Sequence, residues 1–171
     1  MKYSKIKDVL SPIRGTQLSA GIDFFVPVFN ENFINDLILK NNFNDNQINA
    51  IRSNKVIKLL PNEKILIPSG IKVNFDGDPK SFIAFNKSGV ASKKGLVTLA
   101  CVIDQDYQGE IHISLANISN DICSIKENEK ITQFIMIPII YEDIIEVNDV
   151  SILYNGITDR EDRGFGHTDL K

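Results

Sequence analysis

Val102-Ile103-Asp104-Gln105-Asp106-Tyr107-Gln108-Gly109-Glu110-Ile111-His112-Ile113-Ser114-Leu115-Ala116-Asn117 decides how the chain reads. Its second half alternates: Ile111, Ile113 and Leu115 are apolar, whereas His112, Ser114 and Ala116 between them are polar or small. Period two is the signature of a strand with one buried face. Its first half is a turn, in which Asp104 and Asp106 flank a ring, Tyr107, before the chain bends through Gly109. A carboxylate and an aromatic ring at the mouth of a hairpin can together orient a water and shape a small-molecule pocket.

The same period extends outward. Ile65, Ile67, Ile71, Val73 and Phe75 fall at even spacings around a Pro68-Ser69-Gly70 break, and Asp76-Gly77-Asp78-Pro79 is a strong turn signal. Ile131 to Ile140 is a nearly continuous apolar run and is expected to be a strand buried on both sides. Many short strands in a chain of 171 residues predict a mainly β fold, a distorted β-barrel or jelly-roll, as a single domain over residues 1–171. One region departs from the pattern. Between residues 30 and 54, Phe33, Ile34, Leu37 and Ile38 recur at helical spacing, and Asn44 or Asp45 is placed to cap a second helix carrying Ile48 and Ile51. This predicts a small helical insertion that covers one sheet edge.

Composition narrows the function. A formal net charge of -3 gives no reason to expect nucleic-acid binding. No apolar run reaches membrane-spanning length, and Met1 to Lys7 lacks a signal peptide's apolar core, so a cytoplasmic protein is expected. Cys101 and Cys123 have no metal-ligand spacing and are read as buried thiols. Richness in Asn, Ile and Lys points to the AT-rich genome of a bacterium or a phage.

Four further segments carry candidate chemistry. Ala20-Gly21-Ile22-Asp23-Phe24 sets a carboxylate just after a glycine. In Asn86-Lys87-Ser88-Gly89-Val90-Ala91, a cation, a hydroxyl and the N–H groups around Gly89 suit phosphate oxygens. Glu129-Lys130-Ile131-Thr132-Gln133-Phe134-Ile135 puts Gln133 in an apolar strand, where its amide must pair with backbone or face a ligand. The tail from Asp159 to Lys171 carries Gly164-Phe165-Gly166 between cations, a segment that can close over a ligand.

In this order, the five segments resemble the five motifs of the homotrimeric dUTPase family, from about Leu18 to Thr168 apart from the insertion. The resemblance implies a homotrimer with intersubunit sites, hydrolysing dUTP to dUMP and pyrophosphate with Mg²⁺ by water attack on the α-phosphorus. That lowers dUTP and supplies dUMP for dTMP synthesis. It also implies a role for each matched residue. Asp104 would orient and deprotonate the water, and Tyr107 would pack against the sugar's C2′ edge and leave no room for a ribose hydroxyl. Backbone groups near Leu99, Cys101 and Val102 would read the uracil edge. Lys87, Ser88, Gly89 and Gln133 would hold the phosphates. Arg160 would clamp the terminal phosphate from another subunit's lid arm, residues 157–171, while Phe165 beside Gly166 stacks over the base. Asp23 would support the metal's water shell or the neighbouring cation. Three positions depart from the family pattern: Lys87 and Cys101 stand where arginine and glycine are usual, and the tail reads Arg160-Glu161-Asp162-Arg163 where it is usually richer in glycine.

Two other readings are weighed against this one. A dCTP deaminase of the same fold needs a glutamate at the place held by Ser114, with Glu110 about 13 Å earlier along the strand. A binding or regulatory module would use the insertion's apolar stripe to engage a partner protein.

Overall fold

The computed structural model describes residues 1–158 and 161. It divides into two compact units, residues 1–140 and 141–171. Its strands are β1 (Lys2–Lys5), β2 (Ile13–Arg14), β3 (Ile22–Phe25), β4 (Val56–Leu59), β5 (Lys64–Pro68), β6 (Ile71–Asn74), β7 (Lys80–Asn86), β8 (Leu96–Thr98), β9 (Val102–Ile103), β10 (His112–Asn117), β11 (Cys123–Lys126) and β12 (Lys130–Pro138). Three helices interrupt them: α1 (Glu31–Leu39), α2 (Asp45–Asn54) and α3 (Ser88–Lys94). The strands form a five-stranded sheet in the order β2-β3-β12-β7-β9, a three-stranded sheet β5-β10-β8, and the pairs β1-β6 and β11-β4. Every pairing is antiparallel. The fold is mainly β as expected, and these sheets do not join into one closed barrel.

The alternation in the quoted stretch becomes β10. Ile113 and Leu115 are buried, as is Ile111 just before the strand, while His112, Ser114 and Ala116 on the other face are half-buried. Phenylalanine rings fuse the large sheet to the core. Phe24 on β3, Phe82 on β7 and Phe134 on β12 are almost wholly buried, and their centroids lie 4.6 to 5.9 Å apart. Rings at these separations add attraction beyond the area they bury.

β12 corrects the expectation for the apolar run. Ile131, Thr132 and Phe134 are buried, but Ile135, Met136 and Ile137 are only half-buried and Ile140 is exposed. The run is continuous in sequence because each of its two faces is apolar. Only one of those faces is filled by the described residues.

Residues 30–54 fold into two helices, as their spacing predicts. The Asn30 side chain accepts from Phe33 N to cap α1, and Asn44 and Gln47 form a reciprocal capping box on α2. Phe33, Ile34, Leu37 and Ile51 are buried at 0 % exposure, so the apolar stripe belongs to this chain's own core. Arg52 ties the two helices by bonding Glu31 and Asn35 at 2.8 Å each. The insertion also covers an edge. β5 has β10 on one side only, and on the other the Asn41 side chain takes both backbone groups of Leu66, donating to its carbonyl at 2.9 Å and accepting from its N–H at 2.8 Å. One amide thus closes part of a strand edge that would otherwise invite pairing.

Cys123 is buried, and burial pushes its thiol above the usual value. Cys101 is exposed, contrary to expectation. Its apolar neighbours Leu99 and Val102 are themselves half-exposed on the hairpin, so an apolar context there does not mean burial. The second unit contains a 3₁₀ turn, Val150–Ile152, opened by Asp149, whose carboxylate accepts from Ser151 N at 2.9 Å. Among the described residues, no helix is long and apolar enough to cross a membrane.

Candidate active site

The central strand of the large sheet gathers three of the five candidate segments. On β12, Gln133 lies opposite Asp23 of β3 on one side and Phe85 of β7 on the other. Asp23 is 6 % exposed, and a carboxylate so placed must be paired. It is paired twice: one oxygen takes the Lys87 ammonium in a short contact, and the other takes Lys130 at 3.3 Å. Gln133 Nε2 donates to the carbonyl of Asn86 at 2.9 Å. Ser88 and Gly89 follow at the start of α3, with no side chain capping that end. A Cβ added to Gly89 would meet open space, so a ligand can approach the backbone there. Lys87, Ser88, Gly89, Gln133 and Asp23 therefore form one cradle with two cations in it.

Gly21 is needed for that cradle. A Cβ built on it would lie 2.1 Å from Gln133 Oε1, inside van der Waals contact. Gly21→Ala is therefore expected to displace the amide and break its bond to Asn86. Losing one such bond to an anionic ligand corresponds to about a tenfold rise in KM. Steady-state titration of the substrate checks this, with a modest fall in the thermal unfolding midpoint expected because the added Cβ also lies 3.0 Å from Gln133 Cβ at the base of the side chain.

Two residues of this cradle escape sequence reasoning. Asn86 joins cradle to hairpin: its carbonyl takes Gln133, and its side chain accepts from Thr98 N at 2.6 Å. Its place at the head of the Asn86–Ala91 segment was the available signal. Lys130 reads as a solvated charge before an apolar strand. Only the register of β12 on β3 brings it to Asp23.

The hairpin between β8 and β9 is anchored from both sides. Leu99 N donates to Ser114 O at 3.0 Å, and Ala84 N donates to Cys101 O at 2.8 Å. Among the described non-glycine residues, positive φ is confined to Lys55, Asn62, Asn128 and Glu161. Cys101 thus sits in backbone that a residue with a Cβ adopts freely, and the glycine usual at this place is not required. Val102 is exposed at the start of β9.

Past β9 the chain turns, with Tyr107 N donating to Asp104 O at 3.2 Å. Asp104 and Asp106 are exposed, and neither carboxylate has a hydrogen-bond or ion-pair partner among the described residues. Tyr107 is fixed. Its hydroxyl donates to Glu110 O at 2.9 Å, and its ring lies so close over Gly109 that an added Cβ would be 2.3 Å from the hydroxyl oxygen. Gly109 is the only residue type that leaves the ring in place.

The register also separates the two halves. Phe82 pairs with Ile103, which puts Asp104 beside Ser81 at the start of β7, whereas Lys87 follows its end. At about 3.3 Å per residue that is roughly 20 Å along the strand. The Asp104 carboxylate and the cradle stand at opposite ends of β7. Arg160, Phe165 and Gly166 lie outside the described residues.

Comparison with known proteins follows these elements. The dUTPase family profile matches residues 48–169. A deoxyuridine 5'-triphosphate nucleotidohydrolase of Buchnera aphidicola subsp. Baizongia pistaciae is 38% identical over 117 residues, 67% of this chain and 74% of that one. Among solved structures, a mutant dUTPase of Staphylococcus bacteriophage 80alpha with dUpNHpp superposes with a TM-score of 0.70 at 18% identity, covering 98% of this chain and 96% of that one. A mutant dUTPase from phage phi11 of S. aureus, described with a structural Mg(II) ion, gives 0.62 at 19% identity, covering 86% and 96%.

Proposed function

This chain belongs to the dUTPase family and hydrolyses dUTP to dUMP and pyrophosphate; we propose that it does so at a site no single copy completes. The observation that carries this is the distance of roughly 20 Å between Asp104 and Lys87. The phosphates of one nucleotide cannot touch both ends of β7. A second copy supplying its cradle to this chain's hairpin resolves the separation, and a homotrimer is the closed assembly we propose. The half-buried outer face of β12 supports it, since Ile135 and Ile137 offer apolar surface for a neighbour to cover.

Within that site, Asp104 is the base. It is exposed and its carboxylate is unpaired among the described residues, which suits accepting a proton from the water attacking the α-phosphorus. Tyr107 is the sugar gate: a ring pinned over Gly109 is rigid enough to exclude one hydroxyl. The backbone from Leu99 to Val102 reads the uracil edge, held in place by Ser114 and Ala84. Lys87, Ser88, Gly89 and Gln133 bind the phosphates, and Arg160 with Phe165 and Gly166 closes the site from the arm.

Asp23 has both oxygens engaged by lysines, which fits holding those cations and not supporting a metal's water shell. Mg²⁺ bound with the triphosphate would supply charge neutralisation there, while Lys87 and Lys130 stay on Asp23. Lys130 offsets the departure at Lys87. Lys87 and Lys130 on one carboxylate place two positive charges beside the phosphate site. We place the enzyme in the cytoplasm, that of the host if the gene is a phage's.

The two other readings lose support. Ser114 holds the deaminase glutamate's place, and the Glu110 carboxylate is already bonded to Lys7 and to Gly70 N. The insertion's apolar stripe is buried in this chain. Pyrophosphate release from dUTP, dCTP, dTTP and UTP tests the proposal: dUTP alone should be turned over efficiently, and equal rates on dUTP and UTP would overturn the role of Tyr107.

A further inference from the structure

A line of charges runs from the helical insertion to the hairpin, and hydrolysis as described does not use it. The Lys7 ammonium, 15 % exposed, lies 2.6 Å from Glu110 Oε2 and 3.0 Å from Asp36 Oδ2. Asp36, on α1, is also met by Lys40 at 3.4 Å. Glu110 Oε1 accepts from Gly70 N at 2.7 Å, and the Glu110 side chain is 11 % exposed. A carboxylate this buried is rare without partners. Here every oxygen of Glu110 is engaged: its carbonyl takes the Tyr107 hydroxyl at 2.9 Å and faces His112 Nδ1 at the same distance.

The energetics agree with a tight cluster. Burial opposes the charge on Lys7, but hydrogen bonds and attraction from Glu110 and Asp36 outweigh it and hold the ammonium above its usual pKa. Burial opposes the charge on Asp36 as well, yet Lys7, and Lys40 beside it, keep that carboxyl below its usual pKa. Gly70 contributes by shape. Its φ is +73°, and a Cβ there would press on Lys7 Cβ at 2.9 Å, so the turn between β5 and β6 closes directly over the lysine stem. If the Lys7 charge is removed, two carboxylates are left facing each other without their shared cation. Glu110 then keeps only the Gly70 N–H on its carboxylate, and the peptide that accepts from Tyr107 loses one of its anchors.

We propose that Glu110, clamped by Lys7, is a positioning residue for the Tyr107 gate, and that Asp36 couples the helical insertion to that clamp. The insertion would then contribute to sugar selectivity without touching the nucleotide. The proposal rests on Tyr107 being the gate. Lys7 follows β1 and Asp36 lies on α1, so neither forms part of the phosphate cradle or the base-reading loop.

The test compares kcat/KM for dUTP with that for UTP in full-length Lys7→Met, Glu110→Gln, Asp36→Asn, Lys7→Arg and Tyr107→Ala, with thermal unfolding of each. Lys7→Met and Glu110→Gln should lower the dUTP/UTP ratio about tenfold, the loss expected from one charge-assisted bond. Asp36→Asn should lower it about threefold, and Lys7→Arg should retain it. Asp36 is the most exposed of the three, so its variant keeps the comparison open should the buried variants not fold. If Tyr107→Ala lowers the ratio while the clamp variants only melt earlier, the clamp is structural and the inference fails with the gate intact. If Tyr107→Ala leaves the ratio unchanged, the gate reading fails and takes the inference with it.

Discussion

Asp104→Asn should slow pyrophosphate release from dUTP by about a hundredfold or more, with unchanged thermal unfolding. The size follows from what the carboxylate does. A positioned general base is worth roughly 10² to 10⁴ in rate, and an amide of the same shape cannot accept the proton. The unchanged stability follows from its surroundings. Asp104 is exposed and its carboxylate bonds nothing among the described residues, so the substitution removes no native contact. Surface changes of that kind usually stay within about 0.5 kcal/mol. Binding should survive too, since the phosphates are held by other residues. A variant that bound dUTP normally and turned it over at more than a tenth of the wild-type rate would remove Asp104 from the base role.

Phe82→Ala should destabilise the protein by about 3–5 kcal/mol, the usual cost of emptying a buried phenylalanine site. Phe82 is 0 % exposed and touches the rings of Phe24, Phe75 and Phe134. Its neighbours sit on three different strands or strand ends, so none can collapse into the space without shifting the sheet. A fall of roughly 10 °C in Tm is expected for a chain of this size, measured at fixed protein concentration because assembly shifts the midpoint. A functional consequence follows from register. Phe82 pairs with Ile103, so the cavity lies directly beneath the strand that delivers Asp104. Turnover should therefore fall even below the melting range. A Tm within a few degrees of wild type would contradict the ring cluster as the centre of the core.

Much of the fold was legible because its signals are local. Alternation at Ile111, Ile113 and Leu115 is a property of neighbours in sequence, and the Asn30 and Asn44 caps lie within a turn of what they cap. The break at Pro68-Ser69-Gly70 became a turn with Gly70 at positive φ. The errors share a different cause. The run from Ile131 to Ile140 and the environment of Cys101 were judged from adjacent residues, but burial is decided by what lies across the sheet. Periodicity says a face is apolar and not what covers it. Lys130 and Asn86 were missed for the same reason, since each acts on a strand more than forty positions away in sequence or on a loop across a turn. The individual site residues were readable as types. Their division between the two ends of β7 was not, because it depends on the register of β7 with β9.

That division is the central claim, and subunit complementation tests it most directly. Asp104→Asn lacks the base, and a Ser88→Ala/Gln133→Ala double variant lacks cradle contacts. Each should be nearly inactive alone. Co-expressed with different tags and purified through both, the mixed assemblies should hydrolyse dUTP well above either parent, because an intact Asp104 from one copy meets an intact cradle from another. Mixed assemblies as inactive as their parents would place the base and the cradle of each site in the same chain.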